Sequence, residues 1–182
     1  MAQAHHAPAG GTNPVVRALL LTGWIGLTDL WLKLMARAGG CTDAPAVADM
    51  LRSPWALPSE CPGAPLLGTA VQLAPTVRDG GPFGLLPGTF GGVMGQIWGL
   101  SLIALAVVVT ILVVRWRYRH AGDTLALGVL WGACGVLALP RLLGTGGVAE
   151  ITVAGVSTGI GDAALAWALG WLVWRAIAEA RA

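Results

Sequence analysis

Residues 93–114, Val-Met-Gly-Gln-Ile-Trp-Gly-Leu-Ser-Leu-Ile-Ala-Leu-Ala-Val-Val-Val-Thr-Ile-Leu-Val-Val, run for 22 positions without a charged side chain. At about 1.5 Å per residue a helix of this length covers roughly 33 Å, enough to cross a hydrocarbon core of about 30 Å. Three further apolar segments flank it, each interrupted by ionisable residues. Val15 to Ala36 contains Arg17, Asp29 and Lys33; Thr124 to Leu143 contains Arg141 after Pro140; Ile160 to Ala178 contains Asp162 and Arg175. Four crossings place both termini on one side of the membrane.

The whole chain agrees with this reading. Of its 182 residues 55% are apolar and only 11% are charged, where an ordinary soluble domain has about 25% charged residues. Such a composition excludes a charge-covered soluble globule and, outside the ends, an intrinsically disordered chain. A formal net charge of +2 is too small and too scattered for a nucleic-acid surface. The expected architecture is an all-α membrane protein of four transmembrane helices with a small extracytoplasmic β-cradle or loop segment. Residues 1–14 form a disordered cytoplasmic tail and 15–182 a single domain, with an outer segment at 39–92.

Orientation follows from the basic residues, which cytoplasmic loops retain. Arg115, Arg117 and Arg119 crowd the short link between the second and third spans, so this link and both termini are expected inside. Seven of the nine acids then face outward. A cleavable signal peptide ending at Ala36-Arg37-Ala38 is set aside. The ten residues after the apolar run Ala18 to Thr28 are long for a cleavage region and include Asp29 and Lys33. His5 and His6 lack a third ligand nearby and read as tail residues. The outer segment is rich in Gly and Pro, and Thr69 to Val77 is expected to form a short strand or hairpin on the membrane surface. Cys41 and Cys61 lie in this segment, where joined and free states stand equally open. Cys134 reads as a small packing residue in the third span.

Acids at membrane depth need a partner, a water-filled cavity or a function. Asp29 lies 12 residues after Arg17 and Asp162 lies 13 before Arg175, so both carboxylates are expected at one level, roughly 18 to 20 Å from the cytoplasmic flank. Asp29 and Lys33 have the spacing of a helical ion pair. Glu150, 12 residues before Asp162, is expected in a loop that re-enters the membrane and brings its side chain to Asp162. Two carboxylates held close share one proton, and such a pair activates water against a peptide carbonyl. Ser/His/Asp and Cys/His schemes have no histidine on the outer side, and phosphate-binding, dinucleotide and paired metal-ligand motifs are absent from the sequence.

In this order and spacing the motifs resemble the lipoprotein signal peptidase (signal peptidase II) family, from about Ala18 to Trp174. Asp29-Leu-Trp-Leu-Lys33 matches that family's first-span D-x-x-x-K. Val77-Arg78-Asp79-Gly80-Gly81-Pro82-Phe83-Gly84 is similar to its V-R-N-x-G-x-x-F-G stretch, one residue shorter and with Asp79 for Asn. Val136 to Arg141 keeps only the Arg of G-N-x-x-D-R. Val148-Ala149-Glu150-Ile151 stands at V-V-D-F with Glu for Asp, and Gly159-Ile160-Gly161-Asp162 at N-x-A-D with its Asp kept. The resemblance implies a dyad of Glu150 and Asp162, supported by Asp29, Lys33, Arg141 and Asp79, with no cofactor or metal. It implies a monomer in the bacterial cytoplasmic membrane, acting near the outer face on prolipoprotein signal peptides cut before a diacylglyceryl-modified Cys. Leu137 and Gly159 in place of Asn, and Pro140 in place of Asp, depart from the pattern. Two other readings are carried: a degenerate relative that binds lipid, peptide or a partner without cutting, and a G-x-G-D intramembrane aspartic peptidase pairing Asp162 with Asp29.

Overall fold

The computed structural model describes residues 13–40, 64–67, 70–78, 92–115, 121–143, 147–153 and 156–181. Residues 1–12 of the expected tail, the cysteines at 41 and 61, Asp79, the basic link at 116–120 and all three histidines lie outside the described residues, while Pro14, expected in the tail, is helical. Four helices carry the fold: α1 (Pro14–Gly40), α2 (Gly92–Arg115), α3 (Ala121–Leu142) and α4 (Ile160–Ala180). Each is long and apolar enough to cross a membrane. The chain is a four-span membrane protein.

Helix α3 is the axis of the bundle, and the other three pack around it. Its glycines let α1 approach closely. A methyl group on Gly128 would lie 2.7 Å from the Ala18 carbonyl oxygen, and one on Gly132 would lie 2.9 Å from Ile25 Cβ. The Thr22 hydroxyl donates to the Gly128 carbonyl at 3.0 Å. These contacts ascend together along both helices, so α1 and α3 run parallel.

Helix α2 runs the other way. Trp131 on α3 donates its indole N–H to Thr110 at 3.0 Å, while Gly99 sits against Ala138 and Leu142. Helix α4 is also antiparallel to α3, with Trp171 against Gly122 at one end and Gly161 against Val136 and Leu137 at the other. Leu102, Ala106, Leu130, Ala133, Cys134 and Leu165 form the core where α2, α3 and α4 meet, and Cys134 is wholly buried there as a packing residue.

At one end of the bundle sits a four-stranded antiparallel sheet in the order β1-β2-β3-β4, made of β1 (Ala64–Leu67), β2 (Val71–Arg78), β3 (Gly147–Val153) and β4 (Val156–Thr158). The expected strand at 69–77 is found as β2. Two corrections follow from β3 and β4. The sheet is not confined to residues 39–92, since two of its strands come from the α3–α4 connection, and Glu150 lies on a strand, not on a re-entrant loop. The cause is local: Val148, Ile151, Thr152 and Val153 are β-branched and favour a pleated strand.

Pro75 has no N–H for the sheet ladder, and β2, an inner strand, accommodates it with a bulge. Leu73 pairs with Ile151 and Thr76 with Ala149, so Ala74 and Pro75 together oppose the single residue Glu150.

Candidate functional site

Four ionisable side chains converge at the sheet end of the bundle. Asp29 and Lys33 come from α1, Arg141 from the last turn of α3 and Asp162 from the first turn of α4. Their exposures are 6%, 2%, 3% and 0%. A charged residue at the centre of a membrane helix costs about 2.5 to 3.5 kcal/mol even on the mildest scales, so each buried ion needs its own compensation.

Asp29 and Lys33 compensate each other. They stand four apart on one face of α1, and the Lys33 ammonium donates to Asp29 Oδ2. The helical spacing read from the sequence is therefore the pairing found. Asp162 is held differently. It is the third helical residue after Gly159, and its Oδ2 accepts the Gly159 backbone N–H at 3.2 Å. The carboxylate thus satisfies one of the unpaired donors at the start of α4. Gly161 is required beside it, because a methyl group there would meet Val136 Cγ2 at 2.7 Å and Leu137 Cγ at 3.0 Å.

Pro140 and Arg141 follow one another in the last turn of α3. A proline inside a helix cannot donate to the carbonyl four residues back and pushes that carbonyl aside. One residue further on, the Arg141 guanidinium folds back and donates to the Leu137 carbonyl at 2.6 Å. Arg141 is thus turned inward along α3, toward the level where Gly161 packs.

The expectation that Asp29 and Asp162 share one level is met. Ile25 faces Gly132, so Asp29, one turn further along parallel α1, is near Val136; Gly161, next to Asp162, packs on that same Val136. The two acids flank α3, one from α1 and one from α4. Glu150 approaches by its strand, at the β2 bulge and two residues from Thr152, in a sheet that packs on α1 and on the end of α3. Of the candidates named from sequence, Asp29, Lys33, Arg141 and Asp162 are gathered at the sheet end, Glu150 is assigned by backbone alone, and Asp79 lies outside the described residues. Among the described residues no group of three or more His, Cys, Asp or Glu side chains could hold a metal ion.

A cavity of about 450 Å³ lies beside this cluster, where the family resemblance implies an apolar space between the spans. It lies between α1, α2 and α3, and Asp29 is on its wall with Gly26, Ile103, Trp131, Gly135 and Leu139. Its surface is almost wholly apolar. Its position was not read from the sequence, because the glycines of α1 and α3 acquire meaning only once the facing helix surfaces are known.

No family model matches the sequence, and no curated protein matches it. The fold does have a counterpart among solved structures. A structure described as a bacterial membrane enzyme, determined by the in meso method, superposes with a TM-score of 0.57 over 90% of this chain and 88% of its own, at 12% sequence identity. The chain therefore shares the fold of a bacterial membrane enzyme.

Proposed function

We propose that the chain is a membrane aspartic endopeptidase that removes signal peptides from diacylglyceryl-modified prolipoproteins, in the manner of signal peptidase II. The observation that carries this reading is the burial of Asp162 at 0% exposure, level with the Asp29–Lys33 pair and beside buried Arg141, in a chain that otherwise spans lipid. A merely structural acid has cheaper places to sit. The likeness to a bacterial membrane enzyme supports an enzyme, and the motif resemblance from Asp29 to Asp162 supports the chemistry.

In the proposed reaction Glu150 and Asp162 share one proton. The ionised carboxylate takes a proton from water as the water oxygen attacks the peptide carbonyl; its protonated partner donates to the carbonyl oxygen. Collapse of the tetrahedral intermediate breaks the C–N bond, and the amine leaves with a proton from the dyad. The new N-terminus is that of the lipid-modified Cys. Asp29, neutralised by Lys33, and Arg141 shape the polar pocket around the dyad, and Asp79 belongs to the same shell. The enzyme acts as a monomer in the bacterial cytoplasmic membrane, with both termini cytoplasmic and the dyad near the outer face. Its partners are prolipoprotein signal peptides and membrane lipid, and it uses no cofactor.

A second reading has its own support. Leu137, which packs on Gly161, brings no hydrogen-bonding group to the dyad, and Asp162 serves as a helix-capping acceptor. Both features suit a non-cutting relative that binds lipid, peptide or a partner. The G-x-G-D reading, with Asp29 as the second catalytic acid, is disfavoured by the Lys33 ion pair, which occupies Asp29 Oδ2.

The test is incubation of purified protein in detergent with a diacylglyceryl-modified prolipoprotein, with products weighed by mass spectrometry. Cleavage immediately before the modified Cys supports the peptidase. Tight binding of the intact substrate without cleavage supports the second reading, and neither binding nor cleavage overturns both.

A further inference from the structure

Glu150 alone among the residues of β3 stands opposite two residues of β2. Leu73 pairs with Ile151 and Thr76 with Ala149, so one extra residue, about 3.4 Å of strand, is taken up between those pairs. Such a bulge bends its strand, raises the local twist and re-aims the residues beside it. Pro75 fixes its place. Without an N–H it cannot serve the ladder, while Leu73 before it and Thr76 after it both pair.

On its other side Glu150 borders the start of α4. Strand β3 pairs with β4 as Val153 with Val156, Thr152 with Ser157 and Ile151 with Thr158. Continued by one residue, that register sets Gly159 beside Glu150. The backbone of Gly159 is still extended, at φ −136° and ψ 172°, so the strand direction carries through to it. Directly opposed Cα atoms in an antiparallel pair lie about 4.5 to 5.5 Å apart. Gly159 is also the residue whose N–H donates to Asp162 Oδ2 at 3.2 Å. Glu150 therefore lies between the bulge and the residue that holds Asp162.

We propose that Pro75 is a positioning residue: by pinning the β2 bulge it sets the twist of β3 at Glu150, and so the separation of the Glu150 and Asp162 carboxylates. This rests on the peptidase reading above. A misplacement of about 1 Å costs roughly a hundredfold in rate, and one residue of strand is about three times that length. The ladder itself does not need the extra residue. Deleting Pro75 would keep every β2–β3 pair and give Glu150 the single partner Ala74.

The sheet supplies a matched control. Pro65 pairs with Gln72 and Leu67 with Val71, so Leu66 is a second extra residue, on the side of β2 away from β3. Purified variants are compared with the parent by Tm in detergent and by kcat and KM on a diacylglyceryl-modified prolipoprotein. Deletion of Pro75 should lower kcat about a hundredfold with KM and Tm unchanged. Deletion of Leu66 should leave kcat unchanged. Pro75→Ala keeps the extra residue without pinning it and should fall between the parent and the deletion. In Glu150→Gln, deletion of Pro75 should cost nothing further, because no carboxylate is left to position.

A second readout needs no turnover. With Cys41→Ser and Cys61→Ser in place, Glu150→Cys and Asp162→Cys are joined by a short, rigid thiol cross-linker. Joining should be lost on deletion of Pro75 and kept on deletion of Leu66. Parent-level kcat after deletion of Pro75, an equal loss after deletion of Leu66, a further loss of the same size in Glu150→Gln, or a collapse of Tm on deletion of Pro75 would each overturn the proposal. A parent that never cleaves, with the cross-link behaving as stated, would sink the peptidase reading and sustain the positioning role. A parent that cleaves, with a cross-link indifferent to Pro75, would do the reverse.

Discussion

The bundle carries a charged cluster at each end, and the two are built on different terms. At the end away from the sheet, Arg175 lies 3.6 Å from Asp123, with the two side chains 18% and 13% exposed. Its other partner, Glu179, is 45% exposed at 2.7 Å. Of these groups Glu179 reaches solvent, and along the same stretch of α4 Trp167 stacks on Trp171, which is tilted against Trp174, the residue type expected at a membrane interface. At the sheet end Asp29, Lys33, Arg141 and Asp162 are withdrawn from solvent. Partial exposure solves the problem of charge near lipid cheaply. Burial of four ionisable side chains in one place adds a desolvation cost that only pairing, capping or function offsets.

Four substitutions would break or sharpen that contrast, beginning with the largest effect. Glu150→Gln should lower turnover of a diacylglyceryl-modified prolipoprotein by about 10² to 10⁴, the usual contribution of a general acid or base, while the protein remains folded. Turnover at the parent level would remove Glu150 from the dyad. Lys33→Met leaves Asp29 buried beside an apolar side chain and should destabilise the fold by about 3 to 5 kcal/mol. Thermal unfolding in detergent measures it, and an unchanged Tm would mean that the pair is dispensable.

Smaller effects test the packing that holds the clusters apart. Gly128→Ala drives a methyl group into the Ala18 carbonyl oxygen at 2.7 Å and should lower stability by about 1 to 3 kcal/mol. A neutral result would show that α1 moves away from α3 easily. Glu179→Gln removes an exposed partner of Arg175 and should change stability by no more than about 0.5 kcal/mol. A larger loss would erase the distinction between the two ends.

The spans were legible because a charge-free run such as 93–114 has few other destinations, and their ends were found within a few residues. The Asp29–Lys33 pair was legible because four-residue spacing on a helix is a local property. Glu150 was harder. Its neighbours Val148, Ile151 and Thr152 favour a strand, but the partner strand β2 lies some seventy residues earlier, and a pairing across that distance leaves no local pattern. Pro75 was the available clue, since a proline inside a strand demands a bulge. The place of the cavity was illegible for a related reason: Gly26 and Gly135 look no different in sequence from Gly128 and Gly132 until the facing helices are known.

The most direct test sets one substitution at each end of the bundle side by side. Asp162→Asn keeps a side-chain oxygen that can accept the Gly159 N–H, so the start of α4 retains its cap. Asp123→Asn removes one charge from the opposite cluster in the same conservative way. With purified, folded protein and a diacylglyceryl-modified prolipoprotein, the predicted result is a loss of about 10² to 10⁴ in kcat for Asp162→Asn and an unchanged kcat for Asp123→Asn. Retained turnover in folded Asp162→Asn, or an equal loss in both variants, would contradict a catalytic site at the sheet end.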